Sequence, residues 1–304
     1  MAAKVTLITG CSSGIGLALA ARLAGDQAKN YIVYATMRNL KKRDELEKAA
    51  GDHVDKTLFI RELDVKNRAS VQRGVQQVIE EQGRVDALVN NAGIAGFNAL
   101  EYMEHEEIED IVDTNFMGSL RMIKEVLPHM KERRAGRIIN VSSLSGLFGY
   151  PFYEVYCASK FATQGLIDAL ASRLHEFNIS LCSLNPGPVT SMINDNIRDG
   201  GRLPDKQRID DVTKRQLKLV GRYQKYHFED GVAQTTEDMA YHLQQVLEMD
   251  NPPLWNMTRK YCYEKMPYRY NDITGLQWVN HKRRLVEMPG VDIDELRRKA
   301  AESD

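Results

Sequence analysis

The sequence predicts an α/β fold in which helices cover both faces of a doubly wound parallel sheet. Short apolar segments alternate with segments of helical periodicity through most of the chain. The apolar segments are nearly continuous, as in strands that are buried on both faces. A glycine-rich turn joins the first apolar segment directly to the first helical one. The chain has 304 residues and no linker-like boundary, so we expect one domain over residues 1–304.

The strands and helices of the predicted sheet follow one another in regular order. Six segments rich in β-branched or aromatic residues are predicted as strands. They are Val5–Thr9, Tyr31–Thr36, Thr57–Leu63, Asp86–Asn90, Arg137–Ser142 and Ile179–Leu184. Apolar residues at helical spacing predict helices between them. These helices are Ile15–Ala24, Arg68–Glu81, Glu106–Lys131 and Val155–Phe177. Such an alternation is typical of right-handed crossover connections.

The pattern changes in the last third of the chain. Residues 188–235 are polar and mixed, and a weak helix is predicted over Asp205–Tyr226. A firmer helix is predicted over Thr236–Met249, with Thr236 as its N-cap and Asp238 in its first turn.

The C-terminal residues predict a helical extension of the domain. Residues 251–304 are basic and polar, in contrast to the apolar segments that precede them. Within this extension, Leu254–Thr258 has the composition of one further strand, and Asp292–Ala301 that of a last helix.

The composition argues against several classes of partner. The net charge is −1 and the isoelectric point is near 6.7, so we expect no nucleic-acid partner. The four cysteines are widely spaced, which indicates free thiols and neither a metal site nor a disulfide framework. The N-terminal residues lack the apolar stretch of a signal peptide, and no apolar run is long enough to span a bilayer. We therefore expect a cytoplasmic protein without a transmembrane segment.

The turn after the first strand predicts a dinucleotide site. It reads TGCSSGIG over residues 9–16 and leads at once into a helix. Glycines in such a turn let the backbone approach a pyrophosphate, and the helix N-terminus offers free N–H groups to it. This context indicates a Rossmann-type fold. The predicted cofactor-binding residues of the turn are Gly10, Ser12, Ser13, Gly14, Ile15 and Gly16.

The end of the second strand indicates which nicotinamide cofactor is bound. An acidic residue there would bind the ribose 2′-hydroxyl of NAD, whereas an arginine favours the 2′-phosphate of NADP. The sequence reads Thr36-Met37-Arg38-Asn39, with an arginine and no carboxylate. This favours NADP(H). If Arg38 only covers a solvent-exposed edge, the choice of cofactor stays open.

A tyrosine and a lysine at helical spacing predict proton-transfer chemistry. Tyr156 and Lys160 lie four residues apart, on one face of a predicted helix. An ammonium close to a phenol favours the phenolate and lowers the phenol pKa. Ser143 ends a predicted parallel strand, at the edge where α/β sheets bind ligands, and its hydroxyl can polarise a substrate oxygen.

Several motifs, in this order, resemble the short-chain dehydrogenase/reductase family. They are the glycine turn, Asn90-Asn91-Ala92-Gly93, Ser143, the Tyr156/Lys160 pair and Asn185-Pro186-Gly187. The resemblance covers roughly residues 4–250. It implies that residues 4–190 form the nucleotide-binding core and that residues 188–235 lie on the substrate side.

The resemblance implies a catalytic role for four residues. Ser143 polarises the substrate oxygen, and Tyr156 transfers the proton. Lys160 lowers the pKa of Tyr156 and holds the nicotinamide ribose, and Asn115 anchors a water of the proton relay. The remaining implied cofactor contacts, to the adenine, its ribose and the carboxamide, are Asp64, Asn91, Ala92, Gly93, Val189 and Thr190.

Five stretches resemble two neighbouring subgroups, the estradiol 17-beta-dehydrogenases and the photoreceptor-type all-trans-retinol dehydrogenases. They are Leu7–Leu17, Tyr34–Arg38, Asp113–Gly118, Val126–Arg133 and Val155–Ala162. The resemblance implies NADP(H) and a flat, apolar substrate: retinol/retinal or a 17-beta-hydroxy/17-keto steroid.

The chain departs from both subgroups at positions expected to contact the substrate. Val220 and Leu285 stand where the steroid enzyme has a histidine and a glutamate, and Tyr153 replaces an asparagine. Because apolar pockets discriminate weakly, we expect a permissive apolar site. Its expected residues, besides Ser143, are Leu147, Tyr150, Phe152, Tyr153 and part of the segment 188–230.

Two other functions stay open at this point. One is a broad-specificity carbonyl reductase of the same family. The other is a non-catalytic nucleotide-binding protein, although such a protein has no chemical need to keep Ser143, Tyr156 and Lys160. The resemblance also implies a homodimer that pairs through the helices beginning near Glu106 and Val155.

Overall fold

The protein folds around one seven-stranded, all-parallel sheet. The computed structural model describes residues 2–190, 209–229, 233–277 and 279, except for the side chains of residues 223–229, 261 and 268. The strand order is β3-β2-β1-β4-β5-β6-β7. The strands are β1 Lys4–Ile8, β2 Tyr31–Met37, β3 Leu58–Glu62, β4 Ala87–Asn90, β5 Gly136–Val141, β6 Ile179–Asn185 and β7 Trp255–Met257. All seven predicted strands are confirmed, with each end within one residue of the prediction.

Nine helices connect or flank these strands within the described ranges. They are α1 Gly14–Ala24, α2 Asp44–Ala50, α3 Arg68–Gln82, α4 His105–Val112, α5 Gly118–Arg133, α6 Glu154–His175, α7 Asp211–Glu229, α8 Thr236–Glu248 and α9 Lys260–Tyr270. The short polar α2 and the proline-containing α9 lack a clear apolar period and were not predicted. None of the helices in the described residues is long and apolar enough to cross a membrane.

The helices cover both faces of the sheet, which confirms the doubly wound arrangement. On one face, α1, α2 and α8 bury their apolar residues against β1 and β2, with Leu19, Leu46 and Leu243 completely buried. On the other face, α3, α5 and α6 pack against the same sheet, with Met122 and Ile167 completely buried. Removing this much apolar surface from water is the main driving force for the fold.

The predicted helix Glu106–Lys131 is interrupted in the structure. A single π-helical turn, Asp113–Met117, separates α4 from α5. A π turn inserts an extra residue into the helical spacing, and such turns are frequent at functional sites. The apolar periodicity of this stretch continues on both sides of the turn and therefore could not reveal it.

The N-cap of α8 also differs from the prediction. Thr235, and not Thr236, caps this helix: its hydroxyl accepts a hydrogen bond from the N–H of Asp238 at 3.1 Å. The Asp238 carboxylate accepts one in return from the N–H of Thr235 at 2.8 Å, which completes a capping box. The predicted weak helix corresponds to α7, although its first residues, 205–208, lie outside the described residues. The predicted helix Asp292–Ala301 lies outside them as well.

Candidate active site

A cleft of about 1990 Å³ runs along the carboxyl ends of the strands. Its floor is the point where the strand order reverses, between β1 and β4, and open α/β sheets bind ligands at that point. We distinguish two halves of this cleft. The glycine-turn half is lined by Gly10, Ser12–Ile15, Arg38, Asp64 and Asn91–Gly93. The aromatic half is lined by Phe97, Leu144, Ser145, Tyr150, Pro151, Tyr153, Val220 and Lys265.

The glycines of the turn stand where the neighbouring backbone leaves no room for a side chain. Gly10 and Gly14 have φ angles of +72° and +62°, a conformation that L side chains rarely adopt. A Cβ on Gly10 would lie 2.7 Å from the Cα of Ala92, and a Cβ on Gly16 would overlap the Asn91 amide. The backbone itself therefore forms the wall of the cleft, as a cradle for a pyrophosphate requires. Gly16 supports this wall and does not line the cleft.

The side chains of Thr9 and Asn91, which directly follow β1 and β4, hold the two edges of this cradle together. The Thr9 hydroxyl accepts hydrogen bonds from the N–H groups of Asn91 and Ala92, both at 3.0 Å. The Asn91 amide donates to the carbonyls of Thr9 at 2.9 Å and Gly10 at 3.0 Å. Asn91 thus fixes the turn as well as lining the cleft. Thr9 was missed from the sequence, because a buried threonine at a strand end has no distinctive spacing.

The first turn of α1 offers donors toward the cleft. Ser13 is the N-cap of this helix, yet its side chain makes no capping hydrogen bond. Its hydroxyl and the helix N-terminus therefore suit an anionic group, and no carboxylate lies in the first turn. The residues of this half thus fit the phosphates of a dinucleotide.

Two further predicted cofactor residues follow neighbouring strands and line the same half of the cleft. Arg38 follows β2 and is exposed, and Asp64 follows β3. One Asp64 oxygen accepts a hydrogen bond from the N–H of Lys66 at 3.0 Å, which orients the carboxylate.

Beyond β6, the structure separates the two predicted residues Val189 and Thr190. Val189 lines the cleft, and it pairs with Gln234 in an isolated β-bridge. Thr190 is exposed and does not line the cleft. Its N–H donates to the carbonyl of Gln234 at 2.9 Å.

Ser143, Tyr156 and Lys160 meet at the boundary between the two halves. Ser143 follows β5, and the other two lie in the first turns of α6. The Ser143 side chain hydrogen-bonds Tyr156, and its oxygen accepts from the N–H of Ser145 at 3.0 Å. The Lys160 ammonium lies 5.7 Å from the centre of the Tyr156 ring and donates to the carbonyl of Val141 at 2.9 Å. The predicted set is therefore brought together.

Burial shifts the pKa values of the Tyr156 and Lys160 pair in opposite directions. It raises the pKa of Tyr156 to about 12, and the hydrogen bond with Ser143 opposes this rise. It lowers the pKa of Lys160 from 10.5 to about 8. The expected lowering of the Tyr156 pKa is thus not seen, because loss of hydration outweighs an ammonium at this distance.

Asn115 lies in the π turn, behind the cleft. Its side-chain oxygen accepts from the N–H of Ile94 at 2.8 Å, and its amide donates to the carbonyl of Ile94 and to the Ser159 hydroxyl, both at 2.9 Å. The Ser159 hydroxyl in turn donates to the carbonyl of Tyr156 at 2.7 Å. Asn115 is buried, does not line the cleft, and connects the loop after β4 to the helix that carries Tyr156.

Two of the residues expected to contact substrate are packed elsewhere. Leu147 is completely buried in a cluster with Phe148 and Cys262. Phe152 has a φ of +66° and packs against Ala99 and Val220. Neither lines the cleft, because the loop after β5 turns these side chains into the protein interior. Tyr150 and Tyr153 do line it, as predicted.

Three residues of the aromatic half come from distant parts of the chain. Phe97 lies beside Tyr153 with ring centres 5.2 Å apart. Val220 lines the cleft from α7, and Lys265 lines it from α9. Phe97 and Lys265 were missed, because no motif surrounds them. Of the other positions noted in the sequence, Leu285 lies outside the described residues.

Comparisons with known proteins agree with this geometry. A family model described as short chain dehydrogenase matches residues 4–201. Retinol dehydrogenase 8 from Homo sapiens is 37% identical over 92% of this chain and 86% of its own length. The 17-beta-hydroxysteroid dehydrogenase type 1 from Homo sapiens is 36% identical over 94% of this chain and 87% of its own length.

Solved structures share the fold. A short-chain dehydrogenase from Streptomyces avermitilis superposes with a TM-score of 0.74 at 24% identity, over 92% of this chain and 99% of its own. An alcohol dehydrogenase from Thermococcus sibiricus, complexed with 5-hydroxy-NADP, gives 0.65 at 25% identity over 84% and 96%. A Burkholderia phymatum structure in complex with NAD gives 0.72 at 23% identity over 90% and 94%. On the family match and the two similar human enzymes, this chain belongs to the short-chain dehydrogenase family.

Proposed function

We propose that the chain is an NADP(H)-dependent oxidoreductase that interconverts a hydroxyl and a carbonyl group on a hydrophobic substrate. The observation that carries this proposal is the meeting of Ser143, Tyr156 and Lys160 in the cleft that also holds the glycine turn. A protein that only binds a nucleotide would need the turn and not these three side chains.

Ser143 and Tyr156 provide the hydroxyl groups that hold and protonate the substrate oxygen. The Ser145 N–H occupies one lone pair of the Ser143 hydroxyl, and the same hydroxyl hydrogen-bonds Tyr156, so a substrate oxygen placed between the two would be held by both hydroxyl groups. A Tyr156 pKa of about 12 keeps the phenol protonated at neutral pH, as a proton donor to a carbonyl oxygen must be. A nicotinamide cofactor, when bound, supplies or accepts the hydride.

Lys160 provides positive charge beside the phenol. With a pKa of about 8, its ammonium remains mainly protonated at neutral pH. One N–H is used by the Val141 carbonyl, and the others remain for a ribose hydroxyl. After Tyr156 has donated its proton, the ammonium stabilises the phenolate by direct electrostatic attraction.

Asn115 contributes to the proposal as a positioning residue. Its side chain is fully engaged by Ile94 and Ser159, and Ser159 holds the carbonyl of Tyr156. The water-anchoring role implied by the family resemblance stays a proposal. The hydrogen bonds from Asn115 to Ser159 and from Ser159 to the carbonyl of Tyr156 support an additional role, in which Asn115 fixes the position of Tyr156 relative to the cleft.

The preference for NADP(H) rests on Arg38. Its guanidinium can bind a 2′-phosphate in a bidentate manner, and no carboxylate follows β2 directly. The solved neighbours bind either NADP or NAD in their own sites, so they favour neither cofactor for this chain.

The substrates that we propose are retinol/retinal or a 17-beta-hydroxy/17-keto steroid. Support comes from the two similar human enzymes and from the tyrosine-rich, largely apolar lining of the aromatic half. A broad-specificity carbonyl reductase is the second candidate, and Val220 favours it. An apolar residue at this wall removes one polar contact by which hydroxylated polycycles are told apart.

A substrate panel tests the proposal. Purified protein would be assayed with retinal, estrone, androstenedione and small polar ketones, each with NADPH and with NADH. We expect higher kcat/KM with NADPH and turnover of retinal or a 17-ketosteroid. Similar rates on all apolar ketones would favour the second candidate. Turnover of small polar ketones alone would contradict the proposal.

The proposal also includes a homodimer and a cytoplasmic location. All four cysteines are free and buried, which suits a reducing compartment. We expect the two copies to pair through α4 and α5, which cover the predicted helix beginning near Glu106, and through α6. Analytical ultracentrifugation would test the dimer, and cell fractionation would test the location.

A further inference from the structure

Phe152 adopts a strained backbone conformation just before α6, the helix that carries Tyr156. Its φ of +66° lies in the left-handed region, which bulky side chains rarely adopt. Phe152 is also buried, with 6% of its surface exposed. The other non-glycine residues with a positive φ in the described part of the chain are exposed and lie in connections between a helix and a strand: Lys29, Asp55, Arg134 and Asn178. Strained residues persist only where the surrounding structure holds them, and they concentrate at functional sites.

Hydrogen bonds on both sides hold the Phe152 backbone in this conformation. Its N–H donates to the Glu154 carboxylate at 2.8 Å, and its carbonyl accepts from the N–H of Asn98 at 3.0 Å. Glu154 is the first residue of α6, and Tyr153 is the N-cap of this helix. The backbone at Phe152 is therefore tied both to the first turn of α6 and to the loop after β4.

The ring of Phe152 joins three parts of the chain. It packs against Ala99 from the loop after β4 and against Val220 from α7. The ring of Phe97 meets it edge-on, with ring centres 5.9 Å apart and an interplanar angle of 70°, an arrangement that aromatic pairs prefer. The start of α6 is therefore held between two segments that also line the aromatic half, through Phe97 and Val220.

The position of this helix start bears directly on the reacting centre. Tyr156 lies in the first turn of α6, and its side chain is hydrogen-bonded to Ser143, which belongs to a different element. A shift or rotation at the start of α6 would move the phenol relative to Ser143. A misplacement of about 1 Å can lower a reaction rate by roughly a hundredfold, even when the substitution is far from the reacting atoms.

We propose that Phe152 is a positioning residue for Tyr156. Its left-handed backbone and its buried ring fix where α6 begins, and they thereby hold the Tyr156 hydroxyl at Ser143. Asn115 holds the same helix from the side, whereas Phe152 holds its N-terminal end. This inference rests on the proposed function, and it adds a residue that does not line the cleft.

A substitution to leucine tests the role of the ring. Phe152→Leu should lower kcat for retinal or a 17-ketosteroid by roughly tenfold and change the KM for NADPH by less than about twofold, because the glycine turn is not touched. Phe148→Leu is the matched control. Phe148 lies in the same loop after β5 and is completely buried, but its φ is not positive and it packs in a different cluster. It should lose a similar amount of thermal stability and keep its kcat. Steady-state kinetics and thermal melts would measure both variants.

A second pair of variants tests the backbone. Phe152→Gly and Phe152→Ala remove the same ring, but only glycine adopts a positive φ without strain. Phe152→Gly should therefore melt at a higher temperature and keep a higher kcat than Phe152→Ala. This order is the reverse of the one expected where the backbone is unstrained, because alanine there restricts the unfolded chain more than glycine does.

Four outcomes would overturn the inference. They are an unchanged kcat in Phe152→Leu, an equal fall of kcat in Phe148→Leu, a parallel rise of the KM for NADPH, and a Phe152→Ala variant that equals or exceeds Phe152→Gly. If Phe152→Leu does not fold, Phe152→Met and Phe148→Met give the same comparison with more of the side-chain volume kept. If the wild-type protein reduces retinal or a 17-ketosteroid and the Phe152 variants do so equally well, only this inference fails. If the wild-type protein reduces neither, the proposed function fails and this inference with it.

Discussion

The two halves of the cleft are built in different ways. The glycine-turn half is made of backbone and short polar side chains that hold one another, as Thr9, Gly10 and Asn91 do. The aromatic half is made of larger side chains contributed by the loops after β4 and β5 and by α7 and α9. A backbone cradle allows little change in shape, whereas side chains that line a cleft can be exchanged without moving the chain. The first half therefore suits a constant cofactor, and we expect the second to determine which substrates are accepted.

Removing the hydroxyl of Tyr156, at the boundary between the two halves of the cleft, should have the largest effect on activity. Tyr156→Phe should lower kcat by about a thousandfold, since a positioned proton donor contributes 10²–10⁴-fold. Steady-state kinetics and circular dichroism would measure activity and folding. Tyr241→Phe is the control, because Tyr241 is exposed on α8. Substantial turnover by Tyr156→Phe would contradict the proposed proton transfer.

A methyl group in the glycine-turn half should be poorly tolerated. Gly10→Ala should reduce NADPH affinity tenfold or more and destabilise the fold by about 1–3 kcal/mol, because the Cβ meets Ala92 at a positive φ. Gly165→Ala makes the same change on α6, where nothing lies within 4 Å, and should be neutral or stabilising. Isothermal titration and thermal melts would measure both. If the two variants had the same NADPH affinity and the same thermal stability, the glycine turn would be no more restricted than an exposed position on a helix.

The cofactor preference should depend on one side chain of the same half. Arg38→Gln should raise the KM for NADPH by roughly tenfold and leave the KM for NADH nearly unchanged. The variant loses the charged contact with the 2′-phosphate, and only NADPH carries that phosphate. Arg43→Gln is the control, since Arg43 is paired with Glu47 and does not line the cleft. Equal changes for both cofactors would place Arg38 outside the phosphate site.

The smallest expected effect is the pH dependence of kcat/KM, which arises from Lys160 at the boundary between the two halves of the cleft. Lys160 loses its proton as pH rises through about 8, while Tyr156 stays protonated up to about 12. The kcat/KM for carbonyl reduction should therefore fall above pH 8, by up to tenfold per unit. In Lys160→Arg the guanidinium stays charged, so the residual activity should not fall above pH 8. A fall at the same pH in this variant would assign the titration to another group.

The backbone of the site was predictable from the sequence, and its side-chain packing was not. Strand and helix periods repeat locally, so the sheet and most helices followed from short windows of residues. The π turn at Asp113–Met117 and the cap at Thr235 depend on hydrogen bonds that shift the register by one residue. The burial of Leu147 and Phe152 depends on how the loop after β5 folds back. No local sequence pattern predicts the path of this loop.

The sequence by itself determined the doubly wound sheet, the glycine turn and the residues Ser143, Tyr156 and Lys160, because each follows from spacing along one strand or one helix. Only the tertiary structure decided which side chains face the cleft, which pKa values burial raises or lowers, and that Lys265 from α9 lies in the same cleft as Ser143. These properties depend on contacts between residues far apart in the chain, and on how much water those contacts exclude.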